Sequence, residues 1–270
     1  MSWVEVLDAT RSELKRKGYR QTPELTSSRM IDVNETFNIA PANYTGTKRA
    51  VLIGINYTGQ KGELSGCQND VKNMKEYLID ALGFSENNIT VLMDDANHIQ
   101  PTRKNILSAF SSLSSKCMPG DVAYVHYSGH GANVRDANGD EDDGYDETLV
   151  PVDYYKSGQI RDDEVYEELI GAMRKGVHLT CLMDCCHSGT VLDLPYKYVA
   201  NGYDGSMGLN NKFDFDRMRK FAIAAGVIGV AMCAMSQSRG DGGCWGCGCF
   251  EGAVNCFEDM SARVPLTLKD

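Results

Sequence analysis

The sequence predicts an α/β fold, a mostly parallel central sheet with helices on both faces. Two observations carry this: short apolar runs of strand length alternate with segments whose apolar residues recur at helical spacing, and that alternation is the pattern of a sheet buried between helical layers. The chain has 270 residues, enough to bury one sizeable core.

The elements read in order as follows. An amphipathic helix covers Trp3 to Lys17, with Trp3, Leu7 and Leu14 on one face and Gly18 as its stop. Residues 19–48 are polar, contain Pro23 and Pro41, and read as an extended connection. A strand covers Ala50 to Ile55, and a helix follows Asn69 and Asp70 with Val71, Met74, Leu78 and Ala81 on one face. Next come a strand at Ile89–Met93, a helix after Thr102 carrying Ile106, Leu107, Phe110 and Leu113, and a strand at Asp121–Tyr127. A helix opening at Asp162 and Asp163 carries Val165, Leu169 and Met173. The strand His178–Met183 ends at Asp184, and a last apolar run spans Gly226–Met232.

Composition removes several classes of function. A formal charge of −10 argues against a nucleic-acid binder working through a basic face, and suits a protein that attracts cations or basic substrates. No window approaches ~18 uncharged apolar residues, so no transmembrane helix is expected. The first fifteen residues carry charges throughout and lack a secretory apolar run. Ten cysteines in such a chain read as free thiols, and the expected compartment is the cytoplasm.

In parallel sheets, chemistry gathers beyond the carboxyl ends of the strands. Two reactive segments fall there: Ser128-Gly129-His130-Gly131 and Asp184-Cys185-Cys186-His187-Ser188-Gly189. A cysteine nucleophile needs a base within reach and donors for the developing oxyanion. His130 lies between two glycines that let a substrate backbone approach, and Cys186 falls two residues past a strand end. The backbone N–H groups of Cys186 and Gly131 are the natural oxyanion donors. Taken singly, a strand-end cysteine also reads as a small buried hydrophobe and a lone histidine as hydrogen-bonded structure; composition does not choose between these readings.

An acidic stretch adds a second theme. Asp136, Asp140, Glu141, Asp142, Asp143, Asp146, Glu147, Asp153, Asp162 and Asp163 crowd into residues 136–163. Such a run is either a solvated acidic loop or a site for a hard cation such as calcium. An EF-hand is excluded, because Glu141 occupies the position where that loop needs glycine.

Three segments together resemble one family. His126-Tyr127-Ser128-Gly129-His130-Gly131, continuing through Asp140–Glu147 to Pro151-Val152-Asp153, resembles the histidine motif of the metacaspases. Asp184-Cys185-Cys186-His187-Ser188-Gly189 resembles their cysteine motif, and Leu64-Ser65-Gly66-Cys67-Gln68-Asn69-Asp70 their substrate-pocket loop. The resemblance covers roughly residues 48–235. It implies the caspase-like fold and peptide hydrolysis through an acyl-enzyme, with Cys186 rather than Cys185 as nucleophile and His130 rather than His126 as its proton-transfer partner. It further implies cleavage after Arg or Lys, with Asp70 and Asp184 as the pocket carboxylates and Cys67 and Ser128 beside them. Each carboxylate also has an ordinary reading, Asp70 as a helix cap and Asp184 as a strand end. Asp146, Asp162, Asp163 and Asp193 match the family's calcium aspartates, so calcium is the implied cofactor, activating through a disorder-to-order change.

The same resemblance organises the chain. Residues 1–47 look like a small-subunit-like segment displaced to the front, 48–205 like the large-subunit-like catalytic region, 206–224 like a linker and 225–270 like the rest of the small-subunit-like part. Ser2 to Leu7, Arg11 to Gly18 and Gln21-Thr22-Pro23-Glu24-Leu25 resemble the closing helix and tail of a type I metacaspase, so a circular permutation of type III is expected within one compact domain. Lys212, Arg217, Arg219 and Lys220 offer self-cleavage positions in the linker, and Cys244, Cys247 and Cys249 form a Cys-x-x-Cys-x-Cys cluster without an obvious fourth zinc ligand. The implied partners are peptide or protein substrates, with no nucleic acid and no membrane, and the expected state is a monomer.

Overall fold

A computed structural model describes residues 1–19, 22–135, 145–186, 191–192, 194–199, 207–209 and 227–234; for Arg135, Tyr145, Cys186 and 227–234 it is the backbone path that is described. The first helix, α1 (Trp3–Arg16), starts at a capping box in which Ser2 and Glu5 satisfy each other's backbone N–H groups. It stops where Gly18 turns left-handed at φ +84° and Tyr19 N–H reaches back to the Leu14 carbonyl. Trp3, Leu7 and Leu14 are buried on one face, as the spacing predicts.

Residues 22–27 depart from the expected connection. They form β1 (Thr22–Ser27), a strand with Leu25 fully buried. The polar composition hid it: Glu24 is buried but ion-paired with Lys197 at 2.8 Å, and Pro23 ordinarily argues against a strand inside a sheet.

From there the chain alternates. β2 (Lys48–Gly54) leads to α2 (Cys67–Asp80), β3 (Ile89–Met93), α3 (Arg103–Lys116) and β4 (Val122–Ser128). The hairpin β5 (Gly131–Arg135) and β6 (Tyr145–Leu149) follows, then α4 (Tyr154–Ser157) and β7 (Ile160–Arg161). The helix α5 (Asp162–Val165) continues as a π-helical turn at Tyr166–Ile170, and β8 (His178–Cys186) follows. Three further strands are β9 (Tyr196–Val199), β10 (Gly208–Leu209) and β11 (Val227–Ala234).

The main sheet has the order β10-β9-β1-β11-β8-β4-β2-β3. The run from β11 to β3 is parallel throughout, and β1, β9 and β10 extend it with antiparallel pairing. Alternate residues of each central strand enter opposite cores. Val51, Ile53, Val125, Tyr127, Cys181 and Met183 pack with Ile106, Phe110 and Leu113 of α3 and with Val165 of α5. Ala50, Leu52, Val122, Tyr124 and Leu182 pack on the other side with Leu7 of α1 and Val71, Met74 and Leu78 of α2. A sheet apolar on both faces is what the near-continuous apolar strand runs require. A second, antiparallel sheet, β5-β6-β7, stands beside it.

Two boundaries move toward the site. β8 does not end at Asp184 but runs two residues further, so Cys186 is its last residue, in register with Ala234 of β11. The helix α2 opens at Cys67, which puts Asp70 inside its first turn instead of at the cap.

Candidate active site

Strand order changes direction at β2: the chain passes outward to β3, then returns to β4 on the opposite side. Crevices at the carboxyl ends of such strands are where α/β sheets hold ligands. The segments that leave there are the β2–α2 loop, the Gly129–Gly131 turn after β4, and the end of β8.

Register brings the two reactive residues together. Ser128 of β4 is the parallel partner of Asp184 of β8. His130 and Cys186 each lie two residues beyond that pair, on strands whose backbones run about 4.8 Å apart. The proposed nucleophile and base therefore sit at neighbouring strand tips.

His130 is half-buried and held on several sides. Its Nε2 donates to the Gly62 carbonyl at 2.6 Å. A carbonyl only accepts, so Nε2 carries the hydrogen and Nδ1 is left as the basic nitrogen. The ring packs on Tyr57, with centroids 4.7 Å apart and planes tilted by 38°. Sequence reading missed Gly62, which has no motif spacing to mark it. It adopts φ +83°, and a Cβ there would lie 3.2 Å from His130 Nε2. Gly62→Ala is thus expected to lower kcat/KM roughly tenfold by displacing the ring, and to cost about 1–2 kcal/mol through the left-handed conformation; paired kinetics and thermal melts check both. His126, by contrast, is fully buried, and burial pushes its imidazole down to about 3, so it stays neutral core structure.

Two backbone donors lie near the strand tips. The Asp184 carbonyl accepts from Gly129 N–H at 3.3 Å and so faces β4. Strand backbone groups alternate with period two, which turns Cys186 N–H to the same side, past the end of β4. Gly131 and Leu149 are opposed on β5 and β6, and Val150 N–H donates to the His130 carbonyl, so Gly131 belongs to a non-hydrogen-bonded pair. Its N–H points away from β6.

Below the tips, on the α2 side of the sheet, lie two buried carboxylates. Ser128 Oγ donates to Asp70 Oδ2 at 3.0 Å, and both residues are buried. Asp184, 2% exposed, lies next to Ser128 by register, and burial pushes its carboxyl up to about 7. Cys67 is buried at the first position of α2 and packs in the α3-side core. Its carbonyl lies so close to Gly54 that a Cβ there would come within 2.5 Å of it.

The acidic stretch is seen only in part. Asp146, on β6, is 2% exposed and Asp162, opening α5, is 3% exposed. The β6–β7 register, Thr148 with Arg161, carries Asp146 toward Asp162 and the less buried Asp163. Arg161 Nε lies 3.3 Å from Asp146 Oδ2. Among the described residues no three metal-ligating side chains converge on one point. Asp193 lies outside the described residues, as do most of 206–224, Cys244, Cys247 and Cys249, and the Cys186 side chain. Two buried carboxylates with hard oxygen donors fit calcium in kind.

A thiol-bearing strand tip beside an imidazole-bearing one, above two buried carboxylates, is a layout that suits a cysteine hydrolase. Residues 48–195, more than half of the chain, match the family model for the metacaspase peptidase C14 domain. The chain is 53% identical over 226 residues to Metacaspase III c of Phaeodactylum tricornutum, covering 83% of this chain and 67% of that one. It is 48% identical over 163 residues to Metacaspase-1 of Botryotinia fuckeliana, covering 60% of this chain and 39% of that one. Against Metacaspase-1 of Pyricularia oryzae it is 41% identical over 233 residues, 83% of this chain and 56% of that one. The chain belongs to the metacaspase family of cysteine peptidases. It spans two thirds of the Phaeodactylum relative's length and a smaller share of the other two. Among the described residues no helix is long and apolar enough to cross a membrane.

Proposed function

We propose that this chain is an endopeptidase that cuts protein substrates after Arg or Lys through a Cys186 thioester. His130 Nδ1 takes the thiol proton, and the thiolate attacks the scissile carbonyl carbon. The developing oxyanion is received by the N–H groups of Gly131 and Cys186. As the C–N bond breaks, the imidazolium returns its proton to the leaving amine. His130 then deprotonates a water, which hydrolyses the thioester and restores the thiol.

The observation that carries the Arg/Lys reading is the buried Asp70–Ser128–Asp184 group beside the strand tips. A buried anionic recess selects a cation, because a side chain that cannot pair leaves uncompensated charge. Fluorogenic peptides ending in Arg, Lys or Asp test it: Arg and Lys peptides are expected to be cleaved and the Asp peptide not, with no cleavage by Cys186→Ala. Equal cleavage of all three would overturn the specificity.

Calcium is proposed as the activator, held by Asp146, Asp162, Asp163 and Asp193. When bound, the ion supplies the positive charge that lets these carboxylates share one place. Chelation is expected to lower activity on the order of tenfold or more, and Asp162→Asn to raise the calcium needed for half-activation. Full activity in excess chelator would contradict this.

The permuted order is also proposed, with 1–47, 48–205, 206–224 and 225–270 as its parts in one domain. Its support is that β1 lies between β9 and β11 within the main sheet instead of docking outside it. A reordered chain with residues 1–47 joined after Asp270 by a short linker is expected to fold and cleave like the original. We further propose a cytoplasmic monomer; three described cysteines, Cys67, Cys117 and Cys181, are free and buried, as suits a reducing compartment.

A further inference from the structure

Both peptide groups of His130 are bound by tyrosine hydroxyls. Its N–H donates to Tyr57 Oη at 3.0 Å, and its carbonyl accepts from Tyr127 Oη at 2.8 Å. Tyr57 Oη in turn donates to the Val150 carbonyl at 2.6 Å, and Val150 N–H donates to Tyr127 Oη at 3.2 Å. The two hydroxyls, 3.4 Å apart, thus join the residue that carries the base to the end of β6. Both phenols are fully buried. Burial holds both far above the ordinary tyrosine range, so each keeps the hydrogen it donates.

Three features indicate that this arrangement is selected and not incidental. Tyr57 has φ +54°, the one positive-φ residue other than glycine among the described residues. A non-glycine held there costs on the order of 1–2 kcal/mol, which surrounding contacts must offset. Gly129 lies against both hydroxyls: a Cβ there would come within 3.0 Å of Tyr127 Oη and 3.1 Å of Tyr57 Oη. And the Tyr57 ring also stacks on the imidazole, so one side chain holds both the ring and the peptide of His130.

We propose that Tyr57 and Tyr127 are positioning residues for the reaction. Their hydroxyls fix the His130 peptide so that the ring reaches Gly62 with Nε2 and presents Nδ1 to Cys186. The proposal rests on the Cys186–His130 reading above. It assigns no proton transfer to either phenol.

The test uses the full chain with Tyr57→Phe, Tyr127→Phe and the double variant, each losing one oxygen per site while keeping its ring. Three quantities are read: kcat and KM on an arginyl peptide, and the rate of Cys186 alkylation by iodoacetamide at pH 6.5, measured by mass spectrometry of its peptide. Misplacing a catalytic group by about 1 Å costs on the order of 10²-fold. Each single variant is accordingly expected to lose roughly ten- to a hundredfold in kcat with KM within about twofold, and to slow alkylation by a similar factor. The double variant should lose less than the product of the singles, since the hydroxyls act as one unit. Gly129→Ala, whose Cβ would crowd both hydroxyls without removing either, is expected to change both readouts in the same direction, so a folding failure of one Phe variant leaves the test intact. Variants that match the native chain in kcat and alkylation, while His130→Ala loses both, overturn the positioning role alone. If alkylation in the native chain does not depend on His130, the underlying Cys186–His130 reading falls, and the positioning role with it.

Discussion

Cys186→Ala is expected to lower kcat/KM on an arginyl peptide by at least ~10³-fold and to leave the melting temperature nearly unchanged. The two halves of this expectation have separate origins. Removing the sulfur removes the atom that forms the acyl bond, and no neighbouring donor replaces covalent catalysis. The backbone at 186 is fixed by the strand pairing with β11, which an alanine retains. Cys185, the adjacent thiol, cannot substitute, because it is buried in the core on the α3 face with Met183 and Cys181. Kinetics with a fluorogenic peptide, alongside circular dichroism, decide the matter; residual turnover above a tenth of native would assign the chemistry elsewhere.

Asp184→Asn is expected to move activity and stability in opposite directions. Turnover of arginyl and lysyl peptides should fall roughly 10²–10³-fold, because a buried guanidinium or ammonium then keeps only one of its two pairing carboxylates. The stability effect follows from the proton. Burial raises the Asp184 carboxyl to about 7 in the folded chain, above the ordinary carboxylate value near 4 in the unfolded one. Between those values the folded state binds more protons than the unfolded, so this contribution is fully present below about pH 4 and is lost as pH rises through 7. At pH 8 the wild-type fold carries a buried anion that asparagine does not, and the variant should be more stable by on the order of 2–4 kcal/mol. At pH 4 the two should melt alike.

The same carboxyl sets a pH dependence for binding. A cationic side chain entering the recess favours the ionised carboxylate, so binding releases a proton below about pH 7. The affinity of a Cys186→Ala chain for an arginyl peptide should therefore fall up to about tenfold per pH unit below 7, and Asp184→Asn added to it should flatten the profile. Calorimetry in buffers of different ionisation enthalpy counts the proton directly.

Much of this was legible from residue order, for physical reasons that differ by element. The five parallel strands and α2 and α3 announced themselves because each buries a contiguous or helically spaced apolar set, and Val51, Ile53, Phe110 and Val125 lie in the core where the pattern put them. The motif residues His130, Cys186, Asp70, Ser128 and Asp184 were found as short segments, and strand register then placed them around one crevice. β1 was illegible because its charge is neutralised by Lys197, more than 170 residues away in sequence. The small β5–β7 sheet was hidden because its strands flank an acidic run that reads as loop. The end of β8 was misplaced because Asp184 looks like a strand terminator, whereas here it is a buried carboxylate within the strand. Gly62, Tyr57 and Tyr127 act through a carbonyl and two hydroxyls that only the folded chain brings to His130, so no spacing rule could have marked them.

The most direct test of the thiol–imidazole pair is the pH profile of Cys186 alkylation in the native chain and in His130→Ala, followed on the Cys186 peptide by mass spectrometry. A paired imidazole favours the thiolate, so the native inflection should lie at or below about pH 7.5, and His130→Ala should move it up by a unit or more toward the ordinary cysteine value near 8.5. Superimposable profiles in the two proteins would mean that the ring of His130 does not act on the sulfur of Cys186.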